Sequence, residues 1–430
     1  MNIRRLLTPK AVETGIFLIA GFVLSGALVR VLSSGSEDLV TMGDPRYELA
    51  LAIIYASIAL IFLAHFALCW RATWGTITIP ALVVLACVSA GWAEMPGLVL
   101  RRSVGVAGAT LFGIVLACRF SFDEQLVVLQ RVIRTAAILC IGAWILGHVL
   151  GIDLVGGGSL TGGGGPWCGI FNHKNMLGSA MALGILVEQH LPTGSTVARV
   201  SKTAWLLLYA GLLILSDSLT SVVALILTFG AMYAVKSVRG RYGLVMPAGF
   251  VAVLAGGIVL FLNADLVTAA MGRSSDLTGR AELWRWTTVM ISKRPLLGYG
   301  FSGFWRGAAQ QSMTVETHIG WSPIYAHNGY LEILVSLGFA GLVVFGMMAA
   351  TGLRRATKLA TSAESIQELW PLAFLIFFLL HNMGEVSIFW QNSLEWGLFV
   401  ATVVGADPRL RARFEPGFDE LRAEALPECA

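Results

Sequence analysis

An imidazole and a guanidinium set the chemistry open to this sequence. His327 begins the run His-Asn-Gly-Tyr-Leu-Glu-Ile-Leu-Val-Ser-Leu-Gly-Phe-Ala-Gly, where a long polar stretch gives way to a strongly apolar one. Histidine titrates near neutral pH, so it can take a proton from a hydroxyl or position one. Arg280 lies upstream in Ser-Ser-Asp-Leu-Thr-Gly-Arg-Ala-Glu-Leu-Trp-Arg-Trp, just after Thr278, a residue type that caps helices. A cation in a helix's first turn opposes the macrodipole, so an anion is expected beside it. A guanidinium binds phosphate oxygens in a bidentate way, and a diphosphate suits it. The plain alternatives are a packing face with a polar cap for His327 and a solvated surface arginine for Arg280.

Other groups could assist. His173 and Lys174, followed by Asn175, stand in Gly-Ile-Phe-Asn-His-Lys-Asn-Met-Leu-Gly at the mouth of an apolar run. A basic pair there can hold an anion, because a helix N-terminus already favours negative charge. Snorkelling of Lys174 to lipid headgroups competes with that reading. Arg101 and Arg102 end a short loop, and His381-Asn382-Met383-Gly384-Glu385 puts two ionisable groups near the end of another apolar run. A carboxylate in such a place is a functional hypothesis by default, with helix-to-helix hydrogen bonding an equal competitor. Ser216 to Ser221 reads as a capped turn, and His65 and His148 as packed or interfacial. The sequence has no His-Glu-x-x-His, phosphate-binding loop, nucleophile elbow or paired external carboxylates, so neither metal nor cofactor is expected.

The elements that position these groups are membrane helices. Of 430 residues, 56% are hydrophobic and 13% charged, a balance that excludes a soluble protein. The formal charge of +4 gives no case for nucleic acid, because the cations sit in short clusters between apolar segments. The cysteines fall mostly within apolar runs and suggest no disulfide framework. An all-α polytopic bundle of about 12 spans is expected, or ten or eleven with re-entrant pieces, at roughly 20 residues per crossing. The runs lie near 14–32, 48–69, 76–93, 103–119, 132–151, 174–190, 203–216, 219–235, 243–263, 327–350, 369–386 and 391–405. The first reads as a retained span rather than a cleaved signal. Clusters such as Arg119/Arg131/Arg134 and Arg354/Arg355/Lys358 fall on one side, which puts both termini in the cytoplasm.

Residues 1–430 read as one membrane domain, and 264–325 as one long, partly helical external loop carrying Arg273, Arg280, Arg285, Lys293, Arg294 and Arg306. At about 100° per residue, Gly338 and Gly341 share a stripe near His327. Such a stripe lets a neighbouring helix approach closely, which would fix the histidine.

Together, the stretches Gly169 to Gly178, Gly279 to Gly300, His327 to Gly341 and Asn382 to Glu385 resemble the O-antigen ligase and polysaccharide polymerase (Wzy-like) superfamily. His327-Asn328, nine residues and then Gly338-x-x-Gly341 matches the ligase family's histidine motif at every fixed position. The His-Lys-Asn form at 173–175 looks most like the ExoQ-type exopolysaccharide polymerase branch. Ligases tend to use an arginine in the outer loop where His173 and Lys174 stand, which departs from their pattern. The resemblance implies glycosyl transfer from an undecaprenyl-diphosphate-linked oligosaccharide at the periplasmic face of a bacterial inner membrane. It implies His327 and Arg280 as catalytic residues, and Lys174, His173, Asn175, Arg101, Arg102, Asn328 and Glu385 as diphosphate- or glycan-binding residues. Membrane lipids and chain-length or export proteins are its implied partners, without nucleic acid. Polymerase and ligase both remain open at this stage, as do a polytopic transporter and a structural membrane subunit.

Overall fold

The computed structural model describes residues 9–27, 44–150, 166–237, 276–305, 310–363 and 366–414. Its described elements are helices, with no strand among them. In chain order these include α1 (Pro9–Leu24), α2 (Pro45–Ala64), α3 (Phe66–Trp74), α4 (Thr78–Val88), α5 (Pro96–Arg119), α6 (Phe122–Leu150), α7 (Lys174–His190) and α8 (Thr196–Leu215). They continue with α9 (Leu219–Ser237), α10 (Asp276–Lys293), α11 (Gln310–Ile319), α12 (Gly329–Ser362), α13 (Trp370–His381) and α14 (Leu394–Gly405).

Five of these, α2, α5, α6, α8 and α12, are long and apolar enough to cross a membrane. The chain bends by 85° between Phe66–Trp74 and Thr78–Gly91, so that pair is a broken sixth span or a re-entrant loop. Leu219–Val235, Gln367–His381 and Leu394–Gly405 are shorter apolar helices, and the run expected at 243–263 lies outside the described residues.

Local chemistry sets the helix starts. Asp44 accepts a hydrogen bond from the Arg46 amide at 2.7 Å and Pro45 follows it, a combination that opens α2. The central packing is α14 against α5, where backbones nearly touch: a Cβ on Gly113 would fall 2.3 Å from the Gly397 carbonyl oxygen. A separate apolar cluster, with Leu283, Tyr299, Phe304, Trp305, Val315 and Val335 at its centre, lies under α10, α11 and the start of α12. The described part of the 264–325 segment is therefore folded, with its own core.

The glycine stripe does something other than expected. Gly338 (φ 63°, ψ −162°) breaks α12. Across the break, the Val335 and Ser336 carbonyls accept from the Tyr299 and Gly300 amides, each at 2.9 Å. Phe339 and Ala340 N–H donate to the Pro295 and Leu296 carbonyls at 2.8 and 3.1 Å. A Cβ on Gly338 would lie 2.3 Å from the Leu296 backbone, so the glycine seats the 295–300 segment and not a neighbouring helix. Gly341 faces back on its own helix, where a Cβ would meet Leu337 Cβ at 2.4 Å. A uniform 100° rotation cannot reveal this, because the apolar pattern runs unbroken across the kink.

Candidate active site

The start of α12 is fixed by its own cap and by a distant turn. Asn328 Oδ1 accepts from the Tyr330 and Leu331 amides at 3.0 and 3.1 Å, and its Nδ2 donates to the Met383 carbonyl at 3.1 Å. Gly329 N–H donates to the Asn382 and Glu385 carbonyls at 2.8 and 2.9 Å. Glu332 Oε2 accepts from the Ala326 amide and from Trp305 Nε1, both at 2.8 Å. His327 thus sits between two anchored residues, in the left-handed region at φ 50°.

Glu385 is the point at which the four stretches meet. Arg280 donates to its Oε1 at 3.1 Å and to the Gly384 carbonyl at 2.8 Å. Asn175 Nδ2 donates to the same carboxylate oxygen. The second oxygen lies 3.9 Å from His327 Nδ1, a buried atom with no hydrogen-bond partner. Around the imidazole stand Tyr325, with ring centroids 4.3 Å apart, and His173, at 6.4 Å. His173 also caps α7, accepting from the Asn175 amide at 3.2 Å. The α10 helix begins at Asp276 rather than after Thr278, so Arg280 lies one turn in, and the anion beside it is Glu385.

Burial controls the titration of this group. It holds the His327 imidazole well below the usual histidine range, helped by the charges of Arg280 and His173. It pushes the Glu385 carboxyl above its ordinary value, against the pull of Arg280 and His381. A neutral imidazole with an unpartnered Nδ1 therefore shares Glu385 with a guanidinium that is already oriented.

The remaining expected residues have other neighbours. Lys174 Nζ stands 3.8 Å from Asp217, in the Ser216 to Ser221 turn. Arg101 pairs with Glu48 at 3.2 Å, and Arg102 donates to the Ser302 carbonyl and, at 3.2 Å, to its hydroxyl. Both arginines line a cavity of about 480 Å³ that His173, Asn175, Tyr325 and Glu385 also line. Arg280 and His327 neighbour Glu385 but are not part of that lining. Among the described residues, no three His, Cys, Asp or Glu side chains converge to hold a metal ion.

One residue escaped sequence reasoning. Glu395, in the first turn of α14, lines the cavity and accepts from the Ser179 and Ser387 hydroxyls. The signal was available: an acid at the start of an apolar run is as notable as Glu385.

Comparison with known proteins agrees with the motif reading. Residues 204–346, which contain both Arg280 and His327, match the O-Antigen ligase family. Over 289 residues the chain is 26% identical to the exopolysaccharide production protein ExoQ of Rhizobium meliloti (strain 1021). That similarity spans 63% of this chain and 63% of the relative, under two thirds of the relative's length. With helices long and apolar enough to cross a membrane, the chain is thus a membrane protein similar to the O-Antigen ligase family over residues 204–346 and to ExoQ over 289 residues.

Proposed function

We propose that this protein is a membrane glycosyltransferase that polymerises exopolysaccharide or O-antigen repeat units carried on undecaprenyl diphosphate. Transfer takes place at the periplasmic face of the bacterial inner membrane, with both termini in the cytoplasm. The observation that carries this reading is the Glu385 junction, which holds a partly buried guanidinium and an imidazole of depressed basicity together.

In the proposed reaction, His327 takes the proton of an acceptor hydroxyl as its oxygen bonds to the anomeric carbon of the donor sugar. The bond from that carbon to the diphosphate oxygen breaks, and the electron pair leaves with the lipid diphosphate. Arg280 stabilises the charge that develops there, keeping its bond to the Gly384 carbonyl while sharing its Glu385 side with the phosphate. Asn175, His173, Arg101 and Arg102 line the adjoining cavity that Glu385 also lines, and Lys174 begins the helix that carries Asn175. Attack opposite the leaving group inverts the anomeric centre.

The family match at 204–346 favours a second reading, a ligase that moves finished glycan to lipid A core or another acceptor. The two differ in what accumulates when the gene is disrupted: single repeat units on the carrier for a polymerase, full-length polymer on the carrier for a ligase. The site itself is tested by His327→Ala and Arg280→Ala at matched membrane expression, scored by polymer length. Both are expected to abolish long chains, and normal polymer from both overturns the assignment.

A further inference from the structure

The cavity has a second polar end that this reaction leaves unused. Glu395 there is held by three elements: the Ser179 hydroxyl of α7 donates to one carboxylate oxygen, the Ser387 hydroxyl donates to the other, and His381 Nδ1 at the end of α13 stands 3.7 Å from that second oxygen. His381 is 2% exposed, and its Nε2 meets Ser221 Oγ at 3.3 Å. Its Nδ1 has no hydrogen-bond partner, and neither has the buried Oε1 of Gln391. His381, Gln391 and Glu395 line the same cavity as Glu385, as do Tyr55 and Trp390. The Tyr55 hydroxyl donates to Asn392 Oδ1 at 2.8 Å, which fixes that ring.

Buried polar atoms without partners call for a ligand or a physical reason, and two of them belong to residues that line one cavity. The Glu395 carboxylate has about four acceptor positions, so two serine hydroxyls leave it capacity for more donors. No Lys or Arg is paired with it among the described residues, and its negative charge repels a phosphate. The complementary ligand is uncharged, carries several hydroxyls that both donate and accept, and has an apolar face to lie on an aromatic ring. A pyranose ring has those properties.

We infer that Glu395, His381 and Gln391 form a hydroxyl-binding subsite for a neutral sugar ring of the glycan, separate from the Glu385 end of the cavity, where Arg280 is paired. This rests on the glycosyl-transfer reading. Glu395 accepts a ring hydroxyl proton, Gln391 Oε1 accepts a second, and His381 Nδ1 donates or accepts according to its tautomer.

The experiment uses the full-length protein in nanodiscs and two probes, with binding followed by tryptophan fluorescence. One probe is the oligosaccharide released by mild acid from lipid-linked glycan accumulated in a His327→Ala strain; the other is inorganic pyrophosphate. Glu395→Gln is expected to weaken oligosaccharide binding roughly tenfold or more, the loss for one hydrogen bond to a charged group. Ser387→Ala is expected to weaken it less, with pyrophosphate binding unchanged in both variants, which also reports that they fold. Arg280→Ala should do the reverse. Oligosaccharide binding within about twofold of wild type in both Glu395→Gln and Ser387→Ala overturns the subsite. Equal loss of both probes in Glu395→Gln and Ser387→Ala also overturns it, by showing a structural role. If no lipid-linked glycan accumulates, the transfer reading fails, and the subsite with it.

Discussion

Glu385 presents one carboxylate oxygen to Arg280 at 3.1 Å and the other to His327 at 3.9 Å. The two catalytic candidates are therefore coupled through a third residue. Replacing Glu385 by Ala leaves a partly buried guanidinium without its acid, a charge that has lost its counter-ion away from full solvent. Glu385→Ala is expected to lower the turnover of lipid-linked glycan on the order of a hundredfold or more. Glu385→Gln keeps an acceptor for Arg280 and should fall between that variant and wild type. Initial rates in purified membranes check the order, and wild-type turnover by Glu385→Ala would remove the residue from the site.

The depressed basicity of His327 fixes the direction of the pH profile. A base works when unprotonated, and a group held below the usual histidine range keeps its neutral form as pH falls through that range. The acid limb of the rate profile is thus expected below about 6.5, the ordinary histidine value. Removing the neighbouring imidazole in His173→Gln should move that limb upward, since His173 is one cause of the depression. A limb at or above the ordinary value in wild type would contradict a buried His327 base.

Much of this site was legible from residue chemistry, and its wiring was not. His327 and Arg280 stand out by type and place, and Glu385 by being a carboxylate near a span end. The distance along the chain between Asn175, Arg280, His327 and Glu385 hides their meeting, which depends on the cap of α12 docking on the 382–385 turn. Arg101 and Arg102 show the same limit: sequence displays their charge, while their partners, Glu48 and Ser302, come from folding. The membrane character was plain from composition. The break in α12 was not, because one residue's φ leaves no trace in an apolar pattern.

Gly338 offers a direct stability test. Its φ and ψ belong to a region open essentially to glycine, and a Cβ there collides with the Leu296 backbone. Gly338→Ala is expected to cost on the order of 3 kcal/mol or more and to lower Tm in detergent, with loss of activity as the 295–300 segment detaches. Gly346→Ala is the control on the same helix: nothing lies within 4 Å of its Cβ, and it should leave Tm unchanged or slightly raised. Equal Tm values for the two variants would contradict the docked segment.

Glu332 ties down the backbone just before the histidine. Its Oε2 ties the Ala326 amide, one residue before His327, to the Trp305 indole, and the side chain is 4% exposed. Glu332→Ala leaves two buried donors without an acceptor, at about 1–3 kcal/mol each. The backbone that sets the left-handed φ of His327 then loses its restraint. Transfer is expected to fall with little change in the apparent KM for the lipid-linked donor, because Arg280 keeps its bonds to Glu385 and Gly384. Glu332→Gln retains an acceptor oxygen of the same reach and should recover most of the rate. A Glu332→Gln variant as impaired as Glu332→Ala would show that the charge, and not the acceptor geometry, matters, and would end the positioning role assigned here.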